Sequence, residues 1–122
     1  MSSGIYEDVL ATATSTPGVR GALVVALQDG LVVDGRVHVG VQGDAVAALA
    51  ASLYKRACSA SGDGGCNSVR FVELETDDGR ILIAGQKDLA LMAVIERRAN
   101  AGQARLALRR AADELASVAG SA

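Results

Sequence analysis

The spacing of apolar residues along this chain changes several times, and each change marks an element. Ile5, Val9, Leu10 and Ala13 recur at helical spacing before Ser15-Thr16-Pro17-Gly18 interrupts them, which predicts a short opening helix. Residues 23–27, LVVAL, are an unbroken β-favouring run without polar alternation, as expected of a strand covered on both faces. Asp29-Gly30 reads as a two-residue hairpin turn, and residues 31–33 as the start of the return strand. Asp34-Gly35 predicts a bend, after which Val37, Val39 and Val41 either extend that strand or form a ragged edge.

The chain is organised around residues 44–58, DAVAALAASLYKRAC, where Asp44 follows Gly43 as the expected N-cap. Projected at about 100° per residue, Val46, Leu49, Ala50, Leu53 and Ala57 share one face and predict the core stripe. A second seam, Ala47, Ala51, Tyr54 and Cys58, lies about a third of a turn away. Its alanines admit a close neighbour, and helix propensity alone does not explain Tyr54 and Cys58 beside them. The helix is therefore expected to bury two faces, the first on its own sheet and the second on a partner.

Residues 69–75 (VRFVELE) and 80–84 (RILIA) alternate around a Thr76-Asp77-Asp78-Gly79 turn and predict two more strands. Residues 89–95, LALMAVI, suit a helix by composition. However, Asn100 with Gln103 makes a capping-box-like start further on, and Gly102 would sit badly inside one long helix. We therefore read a fifth strand there, then a helix from Ala101 to about Ser117 with Ala104, Leu108, Ala111, Leu115 and Val118 inward. Arg105, Arg109, Arg110, Asp113 and Glu114 are expected mainly outward. The order is α-β-β-α-β-β-β-α, an α+β class. Short connections favour an antiparallel sheet with helices on both faces.

A chain of 122 residues is expected to form a single domain, residues 1–122, with an aliphatic core, since two Tyr and one Phe are its only aromatics. The net charge of −2 contains no basic stripe, which argues against nucleic acid. No apolar run approaches the roughly 20 residues needed to span a bilayer, so no membrane insertion is expected. The opening MSSGIYEDVL lacks a basic region followed by an apolar core, and the expected compartment is the cytoplasm. There Cys58 and Cys66 are expected as free thiols with packing roles.

Little here resembles catalytic chemistry. His38 is the sole histidine and sits among valines, so any Ser-His-Asp or Cys-His arrangement would depend on it. With Cys58 and Cys66 it offers three soft ligands without metal-finger spacing. Gly62-Asp63-Gly64-Gly65 precedes a strand, not a helix, and carries no lysine, which makes it a linker and not a phosphate loop. Glu73, Glu75, Asp77 and Asp78 read as strand and turn residues. Lys55 and Arg56 either complement the helix C-terminus or meet an acidic partner. No enzyme activity, metal or cofactor is expected.

Taken in order, several pieces resemble the roadblock/dynein light-chain family and its bacterial branch of MglB-type proteins. They are Pro17-Gly18-Val19-Arg20-Gly21-Ala22 leading to Asp29-Gly30-Leu31, the alanine-rich AVAALAASL, and Leu74-Glu75-Thr76 through Gly79-Arg80-Ile81-Leu82-Ile83. Ala99-Asn100-Ala101-Gly102-Gln103-Ala104-Arg105, continuing to Leu108-Arg109-Arg110-Ala111-Ala112, is the most specific. The resemblance implies a roadblock/profilin-like five-stranded antiparallel sheet, with the middle helix on one face and the terminal helices on the other. It also implies a homodimer through the middle helix and third strand. The expected interface is thus Ala47, Ala51, Tyr54 and Cys58 with Val69 and Phe71, and Lys55 and Arg56 are candidate partner contacts. The implied function is a non-enzymatic scaffold that binds and regulates or localises a Ras-like small GTPase. A small-molecule sensor or a structural adaptor without a GTPase are the alternatives, and what co-purifies discriminates them.

Overall fold

The computed structural model describes residues 4–62 and 69–120. The glycine-rich linker reading, beyond Gly62, and everything expected of Cys66 lie outside them. A 3-10 turn, Gly4–Tyr6, leads into α1 (Glu7–Ala13). There follow β1 (Val19–Ala26), β2 (Val32–Val37), α2 (Gly43–Ala60), β3 (Phe71–Thr76), β4 (Gly79–Gln86), β5 (Leu89–Glu96) and α3 (Ala101–Gly120). This is the expected order. One five-stranded sheet, β2-β1-β5-β4-β3, is antiparallel throughout.

β5 is the central strand with β1 beside it, and their uninterrupted apolar runs follow from burial on both faces. Ala22, Val24, Leu91 and Ala93 point into a core closed by Val9, Leu10 and Ala13 of α1 and by Ala104, Leu108, Ala111 and Leu115 of α3. Leu23, Val25, Ala90 and Met92 point the other way, against α2. Residues 89–95 are thus strand despite their helix-favouring composition, because pairing on both sides outweighs propensity. Asn100 caps α3 as expected, its Oδ1 accepting from the Gln103 N–H at 3.0 Å.

Several local readings are corrected. The first hairpin is joined by residues 27–31, longer than a two-residue turn, with the Gly30 N–H donating to the Ala26 carbonyl at 2.8 Å. Asp34-Gly35 lies within β2, and the bend is a register shift opposite Val24 and Val25. Asp44 is not the cap of α2. Gln42 precedes the helix without a side-chain bond, and Asp44 sits in the first turn, where its charge still suits the helix dipole. Ile5 lies in the 3-10 turn and is exposed, since that tighter winding rotates it away from the face formed by Val9 and Leu10.

Candidate interaction surface

The two faces of α2 carry the main correction. Ala47, Ala51, Tyr54 and Cys58, expected to meet a partner, are buried within the chain itself, packed on Val25, Ile83 and Met92. The small alanines let the helix backbone settle close to the sheet, leaving room for one large ring. Tyr54 takes that room by lying over Gly85, where a Cβ would overlap its hydroxyl and ring. Its hydroxyl donates to the Val69 carbonyl, which ties α2 to the backbone entering β3. Cys58, one turn further on, is disulfide-bonded and not the free thiol expected. Oxidation converts a packing residue into a covalent anchor for the end of α2.

With that seam inward, the larger aliphatic residues are displaced towards solvent. Leu49 is 47% exposed, and Val46, Leu53 and Ala57 are half-buried, while Ala50 of the same stripe is buried as expected. They flank a sheet surface that α2 does not cover, where Val72 and Leu74 of β3, Ile81 of β4 and Val94 of β5 are all half-buried. The result is a continuous apolar strip running from the helix to the outermost strand, beyond which the β3 edge has no neighbour among the described residues. Phe71 and Val69 lie at the start of that edge, both half-buried.

On the opposite face, β3 is held by α3. Arg105, expected outward, donates to Glu73 from Nε at 2.7 Å and Nη2 at 3.0 Å. This bidentate bond, opposed by partial burial and reinforced by the charges of Arg105 and Arg80, lowers the Glu73 pKa. Arg80 brings Nε to 3.2 Å from Glu73 but at an angle that leaves its N–H without a hydrogen bond. The Arg109 guanidinium lies 4.3 Å from the centre of the Phe71 ring. Sequence reasoning treated these arginines as solvated. Their spacing of four matches the spacing of two between Phe71 and Glu73, so successive helix turns meet successive same-face strand positions.

Lys55 and Arg56 are exposed beside the first hairpin, with the Lys55 ammonium donating to the Gln28 carbonyl at 3.4 Å. They line an open cleft of about 380 Å³ with Asp29 and Gly30. A larger cleft of about 720 Å³, between α3 and the β4–β5 turn, mixes Arg70, Lys87 and Arg109 with Asp88 and Asp113. Among the described residues no three His, Cys, Asp or Glu side chains converge as a metal site, and no helix is long and apolar enough to cross a membrane. His38 sits just after β2, its backbone N–H donating to Arg20.

The model of the Roadblock/LC7 domain matches residues 5–96. The chain belongs to the Roadblock/LC7 domain family. An uncharacterised protein of Methanocaldococcus jannaschii is 27% identical over 94% of this chain and 97% of its own length. Among solved structures, the gliding protein MglB of Thermus thermophilus superposes with a TM-score of 0.81 at 20% identity, covering 100% of this chain and 96% of that one. An MglB in a tetrameric arrangement gives 0.80 at 20% identity over 99% and 94%. The fold is the roadblock/profilin-like one that the resemblance implied, and the MglB-like branch is represented among its structural neighbours.

Proposed function

We propose that this Roadblock/LC7 domain is a non-enzymatic, homodimeric interaction module that binds a Ras-like small GTPase and regulates or localises it. The observation that carries the dimer is the apolar strip of Val46, Leu49, Leu53, Val72, Leu74, Ile81 and Val94 beside the open β3 edge. A second copy related by a two-fold axis would cover the strip helix against helix and continue the sheet strand against strand, with Val69 and Phe71 at the margin. An MglB that assembles as a tetramer supports self-association in this fold.

The GTPase enters through the family resemblance and the MglB-like neighbours. Pairing two copies would place Lys55 and Arg56 of each near the rim of a broad platform, where they would meet acidic groups on the GTPase. The chain supplies no catalytic group in this reading. Affinity capture on the tagged protein, with GDP or a non-hydrolysable GTP analogue, tests it. A Ras-like GTPase retained in a nucleotide-dependent way, and retained again after reconstitution from purified components, is expected. Capture of no GTPase under either condition overturns the reading. So does a thousandfold loss of GTP turnover with intact binding on replacing Arg56, Arg97 or Arg98 by Ala, the signature of an arginine finger worth about 10³ or more.

A further inference from the structure

We propose that the free edge of β2 is a second self-association surface, on which another copy of this chain adds its own β2 antiparallel about Gly35. β2 ends the sheet opposite β3, so this contact is separate from the α2–β3 surface and goes beyond the function proposed above.

The ladder fixes which backbone groups are available. The His38 N–H donates to the Arg20 carbonyl at 2.8 Å, and the register continues as Gly21↔Val37, Ala22↔Arg36, Leu23↔Gly35 and Val24↔Asp34. Antiparallel pairs alternate between bonded and non-bonded, so Arg36 and Asp34 turn their N–H and C=O towards β1. Gly35 and Val37 turn theirs to the open edge. Among the described residues the Gly35 N–H accordingly finds no strand partner, and it donates to the adjacent Asp34 Oδ1 at 2.8 Å.

The side chains around Gly35 are self-complementary. A two-fold axis through Gly35 sets Asp34 opposite Arg36 of the second copy, with Val33 and Val37 next along the strand. Along this edge Val33 is 46% and Val37 41% exposed, and just outside the strand Leu31 and Val39 are 65% and 98% exposed. Asp34 and Arg36 share the face carrying Ala22 and Val24, while Val37 lies on the other face against Gly21. The charged pairs would therefore form on a different face from Val37. Gly35 lacks a side chain because Leu23 crosses that space, which also leaves the axis itself unobstructed.

Charges on an edge strand ordinarily discourage pairing. That protection fails here against a copy of the same chain, because opposite signs two residues apart face each other under the two-fold. Association would move the Asp34 carboxylate from the Gly35 N–H to Arg36 of the second copy. The freed N–H would then bond the Gly35 carbonyl across the axis.

Charge exchange tests this. Asp34→Arg sets like charges face to face, as does Arg36→Asp, whereas the double variant D34R/R36D restores opposite signs with the order reversed. Sedimentation velocity over a concentration series to a few hundred micromolar, with melting curves confirming that all four proteins fold, gives the readout. Each single variant is expected to halve the limiting mass of the unmodified protein, or to weaken its last association step by about tenfold or more. The double variant is expected to recover it. Val33→Lys, an exposed edge position, is expected to behave like the single variants. Identical mass profiles for all of these proteins overturn the proposal, as does a double variant no better than the singles.

Discussion

Tyr54 fills the space in which a side chain on Gly85 would lie. The helix and the sheet are thus fitted to one another by pairing the largest side chain on the α2 seam with a glycine of β4. Gly85→Ala is expected to cost about 1–3 kcal/mol, the usual range for overpacking. Tyr54→Phe loses the bond to the Val69 carbonyl and is expected to cost about 1 kcal/mol. Since the hydroxyl is the first atom an added methyl would meet, G85A should cost less in the Y54F background. Urea denaturation of the four proteins checks this, and strict additivity would show that the two residues do not compete for space.

The Glu73 carboxylate is held in its charged form by Arg105 first and by Arg80 second. Its folded pKa is lowered, so the stability it contributes is fully present above the unfolded value of about 4.3 and is lost as pH falls through the folded one. Thermal melts of the unmodified protein and of E73Q should differ at neutral pH, with E73Q the less stable. The gap should narrow as both are taken into acid below about pH 4. A gap that stays constant or widens in acid would mean that the charge of Glu73 does not hold α3 to β3.

Cys58 is both buried and oxidised. An alkylating reagent applied under denaturing conditions without reductant should leave it unlabelled in peptide mapping, and labelling should follow addition of reductant. Removing a native disulfide typically costs about 2–5 kcal/mol, so reduction should also lower the melting temperature. Full labelling before reduction would restore the free thiol expected from the sequence.

Much of the fold is legible in the sequence because the local signals agree with one another. The unbroken run in β1, the cap at Asn100 and the turn before Gly79 each name their element, and the order of elements follows. Part of the surface of α2 is read the wrong way round, for a physical reason. Hydrophobic size marks Leu49, Leu53 and Val46 as core, but a helix lying close on a sheet is better served by Ala47 and Ala51. Both faces of α2 are correctly recognised as apolar, and Ala50 of the expected core stripe is buried as expected, while Leu49 and the second seam are assigned to the wrong side. Gly85, thirty-one positions from Tyr54, is the signal that decides it, and no local pattern links the two. The Arg105–Glu73 bond is invisible for the same reason, since it joins separate elements across the chain.

The central claim is that the leucine face of α2, and not its alanine seam, joins two copies of the chain. Light-scattering mass, measured together with circular dichroism, on Leu49→Arg and Ala51→Arg tests it most directly. Placing both in a D34R background removes any contribution from the β2 edge. The D34R parent is expected at twice the 12.4 kDa chain mass. L49R should be folded and monomeric, because the charge enters a surface that is exposed in the single chain. A51R should lose its fold, with a destabilisation of about 4 kcal/mol or more from a charge forced into the core. A folded, monomeric A51R beside an L49R that keeps the dimer mass would contradict the account.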